Sequence, residues 1–440
     1  MFTEQQKKVK QSMQVKLAQY LETFRNKTYL PEFKFIKDIC LGILKTNSVI
    51  CLKIAKSLNE TITSKKVCER FTRHLNKESL GNVIRETILA TQCRNFDQNT
   101  AIIVDDSDIV KSKAMKMEGL KNVRDGSTGK HDQLGYDLLN LIAYQKKDDS
   151  YLIKPLSSDL LAMNIEMDSM SQITQDRIVD VILASGNKGV YVFDRAYDDR
   201  NMFSFTKEHA MNYVIRSTGK RGLIVDGHEQ AFNDVAKSVK MNYEYRPDSS
   251  KQVMRCGIKR VSVRLSPHPV KNPETMETWL VVAQYSKGKK SKNGFFYLFC
   301  DFPTETELDL NLIIFKALSM YRKRWKIEEM HKHFKQEYAW EDIQLTSYTR
   351  LKNMNQLFLL AMCFLYSLKK FAFQYLNVFS SIMRYKNKTW KKIYDFAYYS
   401  LSEVVKVCFS QINRYDIKPF EGVWAEYQQL LIPCLKNGGM

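Results

Sequence analysis

The nine cysteines of this chain include no C-x-x-C pair, which removes zinc ribbons and closely spaced redox motifs from consideration. They are too sparse for a disulfide scaffold and read as reduced core residues of an intracellular, cytoplasmic protein. No apolar stretch follows the charged start MFTEQQKKVKQSMQ, which argues against a secretory signal. The longest apolar stretch, Leu357 to Leu365, falls far short of a membrane span and reads as a buried helix, so no membrane is expected as a partner. Internal repeats and low-complexity linkers are missing too, which excludes solenoids and tethered modules. Acidic residues are few beside basic ones: 48 Asp and Glu stand against 68 Lys and Arg, for a net charge of +20. A chain that basic attracts polyanions and makes nucleic acid the leading partner, although a basic soluble enzyme or a membrane-surface protein carries the same charge. At 440 residues it exceeds one ordinary domain, and two or three units are expected.

Residues 1–80 hold 16 Lys or Arg against 7 Asp or Glu, with apolar residues at helical spacing. Two short helices, Ser48 to Leu58 and Ser64 to Leu75, flank the turn at 59–63. On the second, Val67, Phe71 and Leu75 form an apolar stripe that leaves Lys65, Lys66, Arg70 and Arg73 outside it. A helix-turn-helix reader of DNA has this pattern, and so has a small bundle with solvated lysines. From residue 100 the pattern turns to strands: Ala101 to Asp105, Leu134 to Gln145 and Tyr151 to Leu156, then a helix near Ile173 to Ala184 and a strand Gly189 to Asp194. Three strands, a helix and a strand is the order of a ribonuclease-H-like sheet. After another strand, Asn212 to Ser217, comes a β-rich region at about 220–302, with pieces Lys259 to Leu265, Thr278 to Tyr285 and Phe295 to Asp301. Its run KGKKSKN at 287–293 reads as a basic hairpin tip, a DNA contact or simply a soluble turn. Helical periodicity returns after Thr306.

AIIVD and GVYVFD are short apolar runs ending in aspartate, the arrangement in which a buried strand presents a carboxylate at a sheet edge; Asp after a strand is also an ordinary turn or cap residue. The helical segment YRKRWKIEEMHKHFK, 321–335, speaks more plainly. At 100° per residue Tyr321, Arg324, Glu328 and Lys335 share a face, which Lys332 joins. That face offers an acid for metal among groups suited to a phosphate backbone, although a charged amphipathic helix with i,i+4 pairs has the same composition. Three convergent carboxylates suit two hard divalent cations, which need oxygen ligands and open positions for phosphate and water.

The spacing Tyr321-x2-Arg324-x3-Glu328-x6-Lys335 resembles the tyrosine, arginine, glutamate, lysine signature of the fourth family of bacterial insertion-sequence transposases, members of the DDE superfamily. The resemblance spans roughly residues 100–365. It implies catalytic, metal-binding roles for Asp105, Asp194 and Glu328, two Mg²⁺ or Mn²⁺ ions, and DNA contacts from Tyr321, Arg324, Lys332 and Lys335. It further implies double-stranded transposon ends and target DNA as partners, a homodimeric synaptic complex, nucleoid association when on DNA, and cut-and-paste strand transfer through a DNA hairpin. The implied fold is α/β, a ribonuclease-H-like catalytic core at 96–370 carrying the β-rich insertion. A helical DNA-binding domain at 1–95 precedes it and a helical region at 371–440, suited to dimerisation, follows. The 134-residue step from Asp194 to Glu328 leaves room for the insertion. A DNA-binding protein without catalysis and a ribonuclease-H-fold nuclease without strand transfer are the competing readings.

Asp105 is the first aspartate by that resemblance, but Asp106 adjoins it, and alternate strand residues face opposite ways, so register decides between them. His331 and His333, two apart on a helix, are not a metal pair and read as surface or DNA-side residues. Glu329 and Asp198 read as solvated or capping carboxylates, and Trp325 as a core residue.

Overall fold

A computed structural model of the chain describes residues 2–111, 114, 116–123, 133–147, 150–162, 164–247, 253–266, 273–285, 295–302, 310–382 and 396–417. The basic run 287–293 and residues 383–395 and 418–440 of the C-terminal region lie outside the described residues.

The first helices are α1 (Glu4–Glu22), α2 (Leu30–Thr46), α3 (Cys51–Ser57), α4 (Ser64–Leu75) and α5 (Glu78–Gln92). Local chemistry marks their ends. Thr3 and Gln6 close a reciprocal capping box on α1, Thr63 caps α4 through Lys66 N, and α2 stops at Asn47 in the left-handed region. Val67, Phe71 and Leu75 are the buried residues of α4, and Lys65, Lys66 and Arg73 are exposed.

The strands follow: β1 (Ala101–Val110), β2 (Lys121–Val123), β3 (Gln133–Lys147) and β4 (Ser150–Leu161), then α6 (Met170–Ser185), β5 (Val190–Phe193), α7 (Arg200–Glu208) and β6 (Tyr213–Arg216). The β-rich region supplies β7 (Leu223–Val225), β8 (His228–Gln230), α8 (Phe232–Ser238), β9 (Tyr243–Tyr245), β10 (Met254–Arg264), β11 (Thr275–Tyr285) and β12 (Phe295–Asp301). The last helices are α9 (Leu310–Lys323), α10 (Trp325–Tyr338), α11 (Tyr348–Ser367), α12 (Ala372–Val378) and α13 (Tyr398–Ser410).

The described strands form one mixed sheet in the order β2-β3-β1-β5-β6-β12-β11-β10-β7-β8, with β4 on β3 and β9 on β10. Only β1, β5 and β6 run parallel; the other pairings are antiparallel. The β-rich region is therefore no separate lobe: β12 pairs with β6 and carries the sheet onward.

Parallel strands covered on both sides need apolar residues on both faces. Ala101 and Ile103 of β1, with Val190 and Val192 of β5, pack into the core shared with the N- and C-terminal helices. Ile102, Val104, Tyr191 and Phe193 pack into a second core with α6, α7 and α8. Gly189, just before β5, has φ +109°, and a Cβ there would stand 3.0 Å from the Thr100 carbonyl oxygen. Its lack of a side chain lets β5 close against β1.

Helix α11 is apolar nearly all round and buries Leu357 to Leu365 completely or almost so. It packs against α2, α4, α5, α13 and β4. Among the described residues the run Tyr348–Val378 is long and apolar enough to cross a membrane, but 72 % of its apolar window is buried inside the protein, so it is a core element here.

Arg70, expected on the free basic face of α4, is instead held in a charged cluster. Its guanidinium bonds Glu60 at 2.9 and 2.5 Å and lies 3.5 Å from the buried Asp38, while Arg414 bonds the same two carboxylates at 2.8 and 3.0 Å. Burial, offset by Arg414 and Arg70, pushes the Asp38 carboxyl up to about 6. The cluster ties α2, α4 and the turn between α3 and α4 to the segment after α13. Arg414→Met should lower stability by about 2 kcal/mol, because it removes a charged partner from each of two carboxylates and leaves both to Arg70. A shift of the urea unfolding midpoint measures this, and an unchanged midpoint means the cluster is solvated in solution.

Candidate active site

The last paired residues of β1 and β5 are Ile103 and Val192. Two residues further along each lie Asp105, still within β1, and Asp194, just past the end of β5, near enough that the charge of Asp194 acts on Asp105. Asp194 is still extended (φ −76°, ψ 174°), so both side chains continue the faces of Ile103 and Val192. Asp194 also accepts from the Arg195 backbone N–H at 2.5 Å. β1 continues to Val110, which places Asp105 within the strand and not at its end as expected.

Alternation separates the two neighbouring aspartates. Asp105 follows the face of Ala101 and Ile103, over which the C-terminal helices pack; Asp106 turns to the other side and accepts from Tyr197 Oη at 3.0 Å. Directly opposite Asp105 on β3 is Asn140, fully buried.

The segment 321–335 is not a single helix. α9 ends at Lys323 and α10 begins at Trp325, with Arg324 as the joint between them: its N–H bonds the Tyr321 carbonyl and its own carbonyl accepts from Ile327. α10 crosses β1 and β3 and is fastened to them at three places. Arg324 reaches Asp105 (Nη1 to Oδ2, 3.4 Å) and also Glu328 (Nη2 to Oε1, 2.5 Å). His331 Nε2 lies 3.0 Å from Asn140 Nδ2, which leaves Asn140 Oδ1 buried without a partner. Lys335 reaches Asp108 at 3.3 Å and Glu341 at 3.5 Å. Asp105, Asp194, Glu328 and Arg324 thus gather on one side of the sheet under α10.

Burial raises the Asp105 carboxyl to about 7; Arg324 opposes this, while Asp106, Asp194 and Glu328 push the same way as burial. Burial, helped by Lys335 and Arg324, lowers His331 to about 3, so its ring is neutral. Among the described residues no three His, Cys, Asp or Glu side chains stand together as a ready metal site. The cation between Asp105 and Glu328 is the Arg324 guanidinium. The donors nonetheless suit a hard divalent ion, since all are carboxylate oxygens and two of the three carboxylates already hold a positive charge.

The other proposed DNA-contact residues lie around this centre. Tyr321 is part-buried, accepts from Arg216 at 3.5 Å and stacks near Phe296. Lys332 holds its ammonium 5.5 Å from the Trp325 ring centre. Trp325, expected in the core, is 54 % exposed, because the start of α10 projects it away from the sheet. His333, expected at the surface, is fully buried between Tyr366 Oη at 3.1 Å and Ser402 Oγ at 3.0 Å, where burial lowers it to about 3. Asp198, expected to be solvated or a cap, has a buried side chain that accepts from Ser217 Oγ and the Thr218 N–H and hydroxyl, and pairs with Arg221 at 2.7 Å. It pins the turn after β6. Glu329, expected to be solvated or a cap, is half-buried and pairs with Lys326 at 2.7 Å. Sequence reasoning missed Asn140; a lone amide inside the apolar run LLNLIAY was its only signal.

An unfolded aspartate titrates near 3.9. With Asp105 near 7 in the folded chain, the native state holds the extra proton between those values, so metal-free stability falls as pH rises through that window. The loss reaches about 4 kcal/mol at most. Urea unfolding in chelator from about pH 5 to about pH 8 measures it; Asp105→Asn should flatten the slope, and an unaltered slope assigns the proton elsewhere.

A comparison with curated proteins finds no match to the chain. Residues 167–366 match the transposase DDE domain family. Domains of this family generally use divalent metal ions. The matched stretch includes Asp194, Tyr321, Arg324, Glu328 and Lys335 and begins after Asp105. This central part of the chain is similar to a transposase DDE domain, and the match supports a DDE transposase.

Proposed function

We infer that the chain is a cut-and-paste transposase of the fourth insertion-sequence family, with Asp105, Asp194 and Glu328 as its catalytic carboxylates. The observation that carries the reading is the nearness of Asp105, within β1, to Asp194, just past the end of the parallel neighbour β5, with Glu328 brought to Asp105 through a shared arginine. In this reading β1 to β6 form a ribonuclease-H-like core within 96–370, and the strands at about 220–302 are its insertion. The helical region 1–95 recognises DNA, and the region 371–440 supports a homodimer that holds two transposon ends together.

Asp105, Asp194 and Glu328 would hold two Mg²⁺ or Mn²⁺ ions, which supply Lewis acidity for activating water or a DNA 3′-hydroxyl and for stabilising the leaving oxygen. The chain's own residues do the rest. Asp105 sits within β1 and Asp194 directly follows β5, the strand paired with it, so their spacing is set before substrate arrives. The neutral His331 and Asn140 hold α10 on the sheet without adding charge. Tyr321, Arg324, Lys332 and Lys335 present hydroxyl and cationic groups to phosphates, which position DNA independently of sequence. Excision through a DNA hairpin and strand transfer into a target complete the proposed reaction.

The test is cleavage of linear DNA carrying the ends that flank the gene, with Mg²⁺ or chelator. Wild type should cut at those ends only with metal. Glu328→Gln should lose at least about a hundredfold in rate while keeping DNA binding, because the amide preserves shape but removes an anionic ligand. End binding without cutting in either Mg²⁺ or Mn²⁺ would favour a non-catalytic DNA-binding protein, and metal-dependent cutting without end preference a nuclease.

A further inference from the structure

We propose that Arg324 is the resident counter-cation of the carboxylate site and that a DNA phosphate must draw it away before a divalent ion can load, so that metal binding waits for DNA. This rests on the reading of Asp105, Asp194 and Glu328 as metal ligands.

Two independent observations support it. The first is geometric: one guanidinium spans Asp105 at 3.4 Å and Glu328 at 2.5 Å, and its side chain is only 15 % exposed. It takes up one oxygen of each of two carboxylates that a divalent ion would need. The second is that no three acidic, His or Cys groups among the described residues form a ready metal cluster, although Asp105 in β1 and Asp194 just past the adjacent β5 are near enough to act on one another's charge. The strand half of the site is built, and the helix half is closed by the arginine.

Charge makes the arrangement exclusive. A divalent ion and a guanidinium on the same oxygens repel one another in a region of low dielectric, so one must leave. A phosphate offers the departing guanidinium a bidentate partner as good as the carboxylate it gives up. Arg324 is placed to make that exchange. It is the joint between α9 and α10, and its neighbour Trp325 is exposed, so the route from site to solvent is short. α10 need not move with it, because His331–Asn140 still fastens the helix to the sheet. Linkage then runs both ways: DNA tightens metal, and metal tightens DNA.

The test is Mn²⁺ affinity of the full chain, read by loss of the free-ion electron paramagnetic resonance signal, with and without a duplex copied from the DNA flanking the gene. Without DNA, Arg324→Gln should bind Mn²⁺ at least about tenfold more tightly than wild type, and Arg324→Lys, which keeps the charge, should remain near wild type. Duplex should tighten Mn²⁺ on wild type by a similar factor and leave Arg324→Gln unchanged. Thermal melts verify folding, and Arg324→Met replaces Arg324→Gln if the latter does not fold. Equal DNA-free affinity in wild type and the neutral variant overturns the proposal. Should the tight Mn²⁺ binding of Arg324→Gln survive Asp105→Asn, the ligand assignment fails instead.

Discussion

Carboxylates laid beneath a helix are stable only if positive charge arrives with them, and that requirement shapes the centre of this protein. Burial, with the neighbouring Asp106, Asp194 and Glu328, drives Asp105 up to about 7 despite the adjacent guanidinium. The helix that covers the carboxylates brings the compensation in its own sequence, with Arg324 at its entrance and Lys335 towards its end. Between them the chain spends a neutral contact, His331 on Asn140. A charged histidine there would stand beside two cations, and burial keeps it neutral. The same helix therefore supplies an acid, its counter-ion and its own attachment to the sheet.

This local balance depends on rigid surroundings. β1 lies between β3 and β5, so Asp105 cannot shift along the sheet without breaking two ladders. On the covered face, α11 runs as a buried post against β4 and gathers the N-terminal helices and α13 around it. Helices from both ends of the sequence thus share one core with strand residues such as Ile103 and Val192. The cluster of Asp38, Glu60, Arg70 and Arg414 joins the two ends again through charge. A change at either terminus acts on the same packed unit that carries the carboxylates.

Much of the local structure was legible. Apolar runs with β-branched residues marked β1 and β5, and the stripe Val67, Phe71 and Leu75 marked α4. Leu357 to Leu365 read as a buried helix and lies within α11. Less legible were features that depend on a partner distant in sequence. Strand β1 runs past its aspartates because β3 pairs with it throughout, which the polar stretch Asp105 to Asp108 hides. Trp325 and His333 exchanged their expected places, since the direction of α10 against the sheet, not residue type, decides which side is covered. Arg70 and Asp198 read as ordinary surface charges until their partners, Glu60 and Arg221, were brought to them by folding.

The sequence by itself determined the kinds of element, the basic balance, and a recognisable set of acidic and basic residues at helical spacing, because these follow from periodicity and composition within a few turns of chain. The tertiary structure alone decided which of Asp105 and Asp106 faces Asp194, that Asn140 joins them, and that Arg324 stands between two carboxylates. Each of those depends on strand register and on the angle of one helix across a sheet, and both are set by packing between segments that are far apart in the chain.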